Sequence, residues 1–152
     1  MDDKPGGYDE RTLIADGFGR VHVELDRNDG PFKGLADVDG VPHYFERLGF
    51  DALEDPYAVW PAGEEAVAME REQWSIYIRW LRRHEAGEAD HDSHPGTGGV
   101  DARYDELESL LAPHRRAPAD ARRLMARWRF DDGDERYRFD GIDQWVRWDP
   151  VG

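Results

Sequence analysis

The chain contains no cysteine. Disulfides, thiolate metal centres and cysteine nucleophiles are therefore excluded, and a reduced compartment is the expected setting. Lysine is almost as scarce: of 20 basic residues only Lys4 and Lys33 are lysine. With Asp outnumbering Glu, this reads as the codon bias of a GC-rich, bacterial-type genome rather than as a functional signal. No apolar run approaches the roughly 20 residues that a spanning helix needs, so no transmembrane segment is expected. The opening residues, Met-Asp-Asp-Lys-Pro-Gly-Gly, have neither the basic nor the apolar region of a secretory signal, and the expected location is cytoplasmic. Serine is rare as well. Ser75, Ser93 and Ser109 all lie outside a Gly-x-Ser-x-Gly context, and Gly96-Thr97-Gly98-Gly99 lacks the lysine of a phosphate loop. Serine or cysteine hydrolase chemistry thus has no support.

What the chain does have is acid. It carries 34 acidic against 20 basic residues, a net charge of −14. The imbalance lies in residues 1–100, with 22 acids and 10 bases; residues 101–152 have 12 and 10. Such a charge repels DNA, RNA and anionic membranes, whose affinity comes mainly from neutralised phosphates. At 152 residues, with 39% hydrophobic residues and six each of Trp, Tyr and Phe, the chain can bury an ordinary core. One domain over 1–152 is expected, with 1–10 and 86–100 as flexible stretches.

Five Asp-Gly pairs punctuate the chain, at 16–17, 29–30, 39–40, 132–133 and 140–141. Both residues tolerate the positive φ of tight hairpin turns. Three pairs fall in the first 40 residues and two in the last 21, so the ends read as β-rich and the middle as helical. Thr12–Ala15 and Arg20–Leu25 read as one hairpin, Gly34–Val38 and Val41–Arg47 as a second. Gly49–Pro56 reads as an acidic loop. A helix from about 62 to 85 follows Pro61, with acids in its first turn and Arg82, Arg83 and His84 in its last. Val67, Trp74, Ile78 and Leu81 supply its apolar stripe, widened by Ala66, Met69, Tyr77 and Trp80. A shorter helix from about 101 to 112 starts at an Asp101 cap. Residues 120–130 fit either a strand or a helix face; the Asp132-Gly133 pair favours a strand continuing into a meander through Arg136–Phe139 and Ile142–Trp148. The expected fold is α+β, with antiparallel hairpins at both ends packed on the two central helices. Whether the two β-rich ends share one sheet stays open.

Four constellations invite a functional reading. His84, His91 and His94, with neighbouring carboxylates, offer ligands for a divalent metal, against the plainer reading of a solvated Gly-rich loop. Asp26 to Asp37 superficially follows a calcium loop, but its glycine falls fifth rather than sixth and the twelfth residue is Asp rather than Glu. Arg127, Arg129, Arg136, Arg138 and Arg147 project from one face of the expected meander beside Trp145, as a partner-binding strip would. The plainer alternative pairs them with Asp131, Asp134, Asp143 and Asp149 across strands. The six tryptophans read mainly as core, with Trp145 as the exposed exception.

The function read from these residues is a non-catalytic protein-binding module, its partner basic and met through the acidic N-terminal surface. The alternative is a metal-binding protein or metal-dependent hydrolase using His84, His91 and His94, with Glu85 or Glu88 as base. No other cofactor is implied. A homodimer built on Trp145 and the arginine strip is a further possibility.

Overall fold

The computed structural model describes residues 7–27, 30–131, 133 and 135–151. Its contacts divide the chain into two compact units, Met1–Ala62 with Ala117–Gly152, and Gly63–Arg116.

The first unit holds the strands. In chain order these are β1 (Gly7–Tyr8), β2 (Gly19–Arg27), β3 (Pro31–Val38), β4 (Val41–Arg47), β5 (Tyr57–Pro61), β6 (Arg122–Asp131), β7 (Tyr137–Arg138), β8 (Gly141–Ile142) and β9 (Gln144–Pro150), with one short helix, α1 (Glu10–Ala15). Strands β2 to β5 form an antiparallel meander, β6 joins β5, and β9 pairs with both β6 and β2. Six strands thereby close into a barrel, and the two β-rich ends of the chain share it. Closure satisfies the edge groups that an open sheet would leave unpaired. The short β1 lies parallel to the end of β6.

Aromatic side chains fill the interior. Phe45, Tyr57, Trp128 and Trp148 meet with ring centroids 5.5–6.0 Å apart, mostly tilted or edge to face as ring quadrupoles prefer. Gly34, directly opposite Phe45, makes room for it: a Cβ there would lie 2.7 Å from the Phe45 ring and 2.3 Å from the Val23 carbonyl oxygen. The Tyr57 hydroxyl donates to the Pro31 carbonyl at 2.6 Å, so its burial leaves no orphaned donor. Burial raises the Tyr57 pKa, although Arg47 opposes the shift.

Three sequence expectations change in this unit. Thr12–Ala15 is helical rather than a strand. Gly17, at φ 88°, ends α1 instead of turning a hairpin; Gly17 and Phe18 donate to the Ile14 and Leu13 carbonyls at 3.0 and 2.9 Å. A helix C-terminus and a hairpin both want positive φ after an Asp, so the dipeptide alone does not separate them. The Asp39-Gly40 pair does turn a hairpin, with φ of 53° and 78°. The C-terminal meander also differs. Residues 122–131 form a strand, but β6 pairs directly with β9 along seven residue pairs, while β7 and β8 make a separate two-stranded sheet. Backbone bonds from Asp131 N to Asp143 O and from Asp143 N to Arg136 O hold that arrangement. Asn28, Asp29, Asp132 and Asp134, which entered the calcium-loop, turn and ion-pair readings, lie outside the described residues.

The second unit is helical. Here α2 (Glu64–Glu85) and α3 (Ala102–Leu111) lie close to the expected spans, and Asp101 caps α3 by accepting from Tyr104 N at 2.8 Å. Residues between them form two 3-10 turns, His91–Ser93 and Pro95–Thr97. The buried face of α2 includes Glu70 and Gln73 along with Ala66, Trp74 and Ile78. Arg115 explains those polar residues: it grips both Glu70 oxygens at 2.7 and 2.9 Å, reaches Gln73 at 2.6 Å and bonds Glu108 at 3.1 Å. Burial alone would lower the Arg115 pKa, but the Glu70 and Glu108 carboxylates outweigh it and raise it. A fully satisfied buried network of this kind fixes the helix pair more through the cost of breaking it than through net attraction. No helix among the described residues is long and apolar enough to cross a membrane.

Candidate functional site

Two of the three histidines, His84 and His94, meet Trp80, and His91 lies beside His84. The Trp80 ring stacks on His84, with centroids 4.8 Å apart and planes 11° apart, and meets His94 at 4.5 Å. His91 is 6.3 Å from His84, ring to ring. Hydrogen bonds fasten the loop. Trp80 Nε1 donates to Ser93 Oγ at 2.9 Å, His84 Nδ1 lies 3.0 Å from the Ala89 carbonyl, and His94 Nδ1 accepts from Gly96 N at 2.9 Å. Ring faces are thus used for stacking, and one nitrogen each of His84 and His94 for the backbone. Burial lowers the His94 pKa, followed by the charges of His91 and His84. Among the described residues no group of three His, Asp or Glu side chains is placed to hold a metal ion.

The expected arginine strip divides. Arg127 pairs in register with Arg147 and Arg129 with Trp145, so these four share the outer face of β6 and β9. Trp145 is not exposed, however. It is 3% accessible, packed with Leu13 and Phe18 where α1 and the turn after it cover the face. Its Nε1 donates to the buried Asp131 at 3.2 Å. Arg129 and Arg147 lie over the Phe18 ring, and Arg129 also over Tyr8. Asp149 pairs with Arg127 at 3.3 Å and with Arg147 at 3.6 Å. Arg136 reaches Glu24 at 3.3 Å, and Arg138 reaches Asp131 at 3.1 Å and Asp140 at 3.3 Å. Burial raises the Asp143 pKa, with the Asp131 charge adding to the shift and Arg136 opposing it. The reading of Trp145 as an exposed anchor is therefore corrected. The segment expected to be a strand is a helix, and its Leu13 needs an apolar surface to cover.

The segment between β4 and β5 shows the opposite arrangement. Phe50 is 91% and Leu53 73% exposed, with Leu48 exposed beside them. The backbone underneath is tightly organised. Leu48 N donates to the Pro56 carbonyl at 2.9 Å, Asp55 N to the Asp51 carbonyl at 2.9 Å, and Asp51 N to the Asp55 carboxylate at 2.8 Å. The Asp51 carboxylate accepts from Leu53 N and Glu54 N at 2.8 and 3.2 Å, an Asx turn. Arg47, itself buried, donates to the Gly49 carbonyl at 2.9 Å from inside. Ala52 is buried, and it sits so close to Gly30 that a Cβ there would lie 2.8 Å from its methyl.

Asp51, Glu54 and Asp55 have no ion-pair partner among the described residues. The loop therefore holds two large apolar side chains in water within an unneutralised acidic rim. The acidity and the loop are legible in the sequence; this presentation is not. The available signal is Phe50 and Leu53 standing in an acidic, Gly- and Pro-bounded segment with no periodic apolar neighbours. Compared with family models, with characterised proteins and with solved structures, the chain gives no match.

Proposed function

We propose that this protein is a non-catalytic, cytoplasmic protein-binding module, and that the loop 48–56 is its docking element. The partner offers an apolar pocket rimmed by lysine or arginine. The observation that carries this reading is the exposure of Phe50 and Leu53 on a hydrogen-bonded loop. An aromatic anchor entering a partner pocket is the usual form of an interface hot spot. A loop already fixed in one conformation loses little entropy on docking. The acids around it steer a basic partner and set specificity, in keeping with the negative balance of residues 1–100.

A photo-reactive amino acid in place of Phe50, with a second variant carrying it at the exposed Phe139, tests the reading in cell extract. The expected result is a cross-link specific to position 50, to a basic protein, weakened by added salt and competed away by wild type but not by Phe50→Asp. Equal cross-linking from both positions, or an acidic partner at position 50, would overturn it.

A further inference from the structure

The barrel has a second feature that the docking loop leaves unused. The ladder between β2 and β3 shifts register between Val21, opposite Ala36, and Val23, opposite Leu35, which makes His22 the extra residue of a β-bulge. Bulges re-aim a side chain, and this one sends His22 to Asp37: Nε2 lies 2.8 Å from Oδ1. The His22 side chain is only 11% exposed. Trp148 Nε1 donates to the Asp37 carbonyl at 3.1 Å, so the same residue also anchors a tryptophan of β9.

These groups line a cleft of about 520 Å³, with Phe18, Trp145, Val146 and Ile14 among its walls. That volume lies within the ordinary range of small-molecule sites. Gly19 lets Asp37 approach closely, since a Cβ there would sit 3.0 Å from the Asp37 Cβ and 3.2 Å from its carbonyl oxygen.

The hydrogen-bonding capacity of the cleft is nearly all used internally. Arg20 covers Trp145 and is neutralised by Glu10 and Asp140 at 3.0 and 2.9 Å. Asp39 pairs with Arg122 at 3.2 Å. His22 Nδ1 is different. It has no partner among the described residues, and the buried, unpartnered side-chain nitrogen found among them is Trp128 Nε1, so Nδ1 reaches solvent. In the neutral ring, a carboxylate on Nε2 fixes the tautomer with its proton there and leaves the Nδ1 lone pair as an acceptor.

We infer that this cleft binds a small, uncharged aromatic molecule carrying one hydroxyl or N–H donor, of the phenol or indole class, with the donor on His22 Nδ1 and the ring against the half-buried Trp148. Anions meet the carboxylates of Asp37 and Asp39. Cations meet Arg20 over the Trp145 face.

The test is a titration of the full chain with phenol and, separately, with toluene, followed by the His22 ring nitrogens and the indole N–H signals in NMR. Phenol is expected to give saturable shifts at His22, with toluene about tenfold weaker, one hydrogen bond's worth of affinity. His22→Ala should bring phenol down to the toluene level, and unchanged phenol affinity in this variant would also overturn the assignment. Equal affinity for phenol and toluene in the wild-type protein would overturn the assignment without recourse to any variant. So would the absence of a saturable shift up to the solubility limit of phenol.

Discussion

The outer face of β6 and β9 and the loop after β4 belong to the same unit, yet they treat their large side chains in opposite ways. On the strand face a tryptophan and several arginines form what looks, in one dimension, like a binding strip. In the fold α1 covers the tryptophan, and aspartates and glutamates take up arginines of the strip. On the loop, a phenylalanine and a leucine that look like ordinary core residues stand in water, and the acids beside them are unpaired. Residue type alone therefore misassigns both places. Availability depends on what else in the chain folds back to cover or neutralise a group, and only groups left available can meet a partner.

The sharpest way to break this contrast is to truncate one large side chain from each region. Trp145→Ala should cost about 3–5 kcal/mol of stability, as removal of a buried aromatic does. Phe50→Ala should stay within about 0.5 kcal/mol, as surface changes do. Urea unfolding of both variants decides it, and a Trp145 cost no larger than that of Phe50 would mean the face is not covered.

Asp131→Ala should cost about 2–3 kcal/mol, because it strips the buried acceptor from Arg138 and from Trp145 Nε1. A thermal scan beside Trp145→Ala would also show whether the two effects are coupled, as contacting residues usually are. Asp51→Ala should lower cross-linking from position 50 while leaving global stability nearly unchanged, since it loosens the loop and keeps the anchors. Arg127→Ala should cost less than about 1 kcal/mol, because its ion pair with Asp149 is largely exposed.

The smallest effect depends on pH. The Asp143 pKa is higher in the folded chain than in the unfolded one. Whatever stability this group contributes is complete below the unfolded value of about 3.9 and is lost as pH rises through the folded value. Asp143→Asn should accordingly be slightly more stable than wild type at neutral pH, the difference closing as pH falls toward the unfolded value. Denaturation series at several pH values would show it, and a gap that widens on acidification would contradict the sign. His94 behaves in the opposite direction. Its folded pKa is lowered, so its contribution is present above about 6.5 and lost as pH falls through the folded value.

Much of the secondary structure was legible because it rests on local chemistry. Pro61 and two acids start α2, Asp101 caps α3, and Asp39-Gly40 can hardly avoid a tight turn. Leu124 and Ala126 alternate with outward arginines, which identifies β6 as a strand despite a competing helical pattern. The polar part of the α2 face was not legible, because Glu70 and Gln73 look like solvent-facing residues until Arg115, 45 residues beyond Glu70, closes on them. Helix α1 was missed because six residues are too few to establish a period. The histidine cluster was visible as a composition, and the Trp80–His84 stack is an i, i+4 pair on one helix, but the contact of His94 with Trp80 depends on how the loop returns to the helix, which spacing does not encode.

The sequence by itself determined the acidic charge, the absence of thiol chemistry, the two long helices and most strands, all of which follow from composition or from neighbours within a few residues. Tertiary structure alone decided that both ends of the chain close one barrel, that Trp145 is covered, that Phe50 and Leu53 are not, and that a bulge turns His22 onto Asp37. Each of these depends on which distant segments meet. A strand does not carry the identity of its partner in its own alternation, and a side chain is buried only by what another part of the chain places over it.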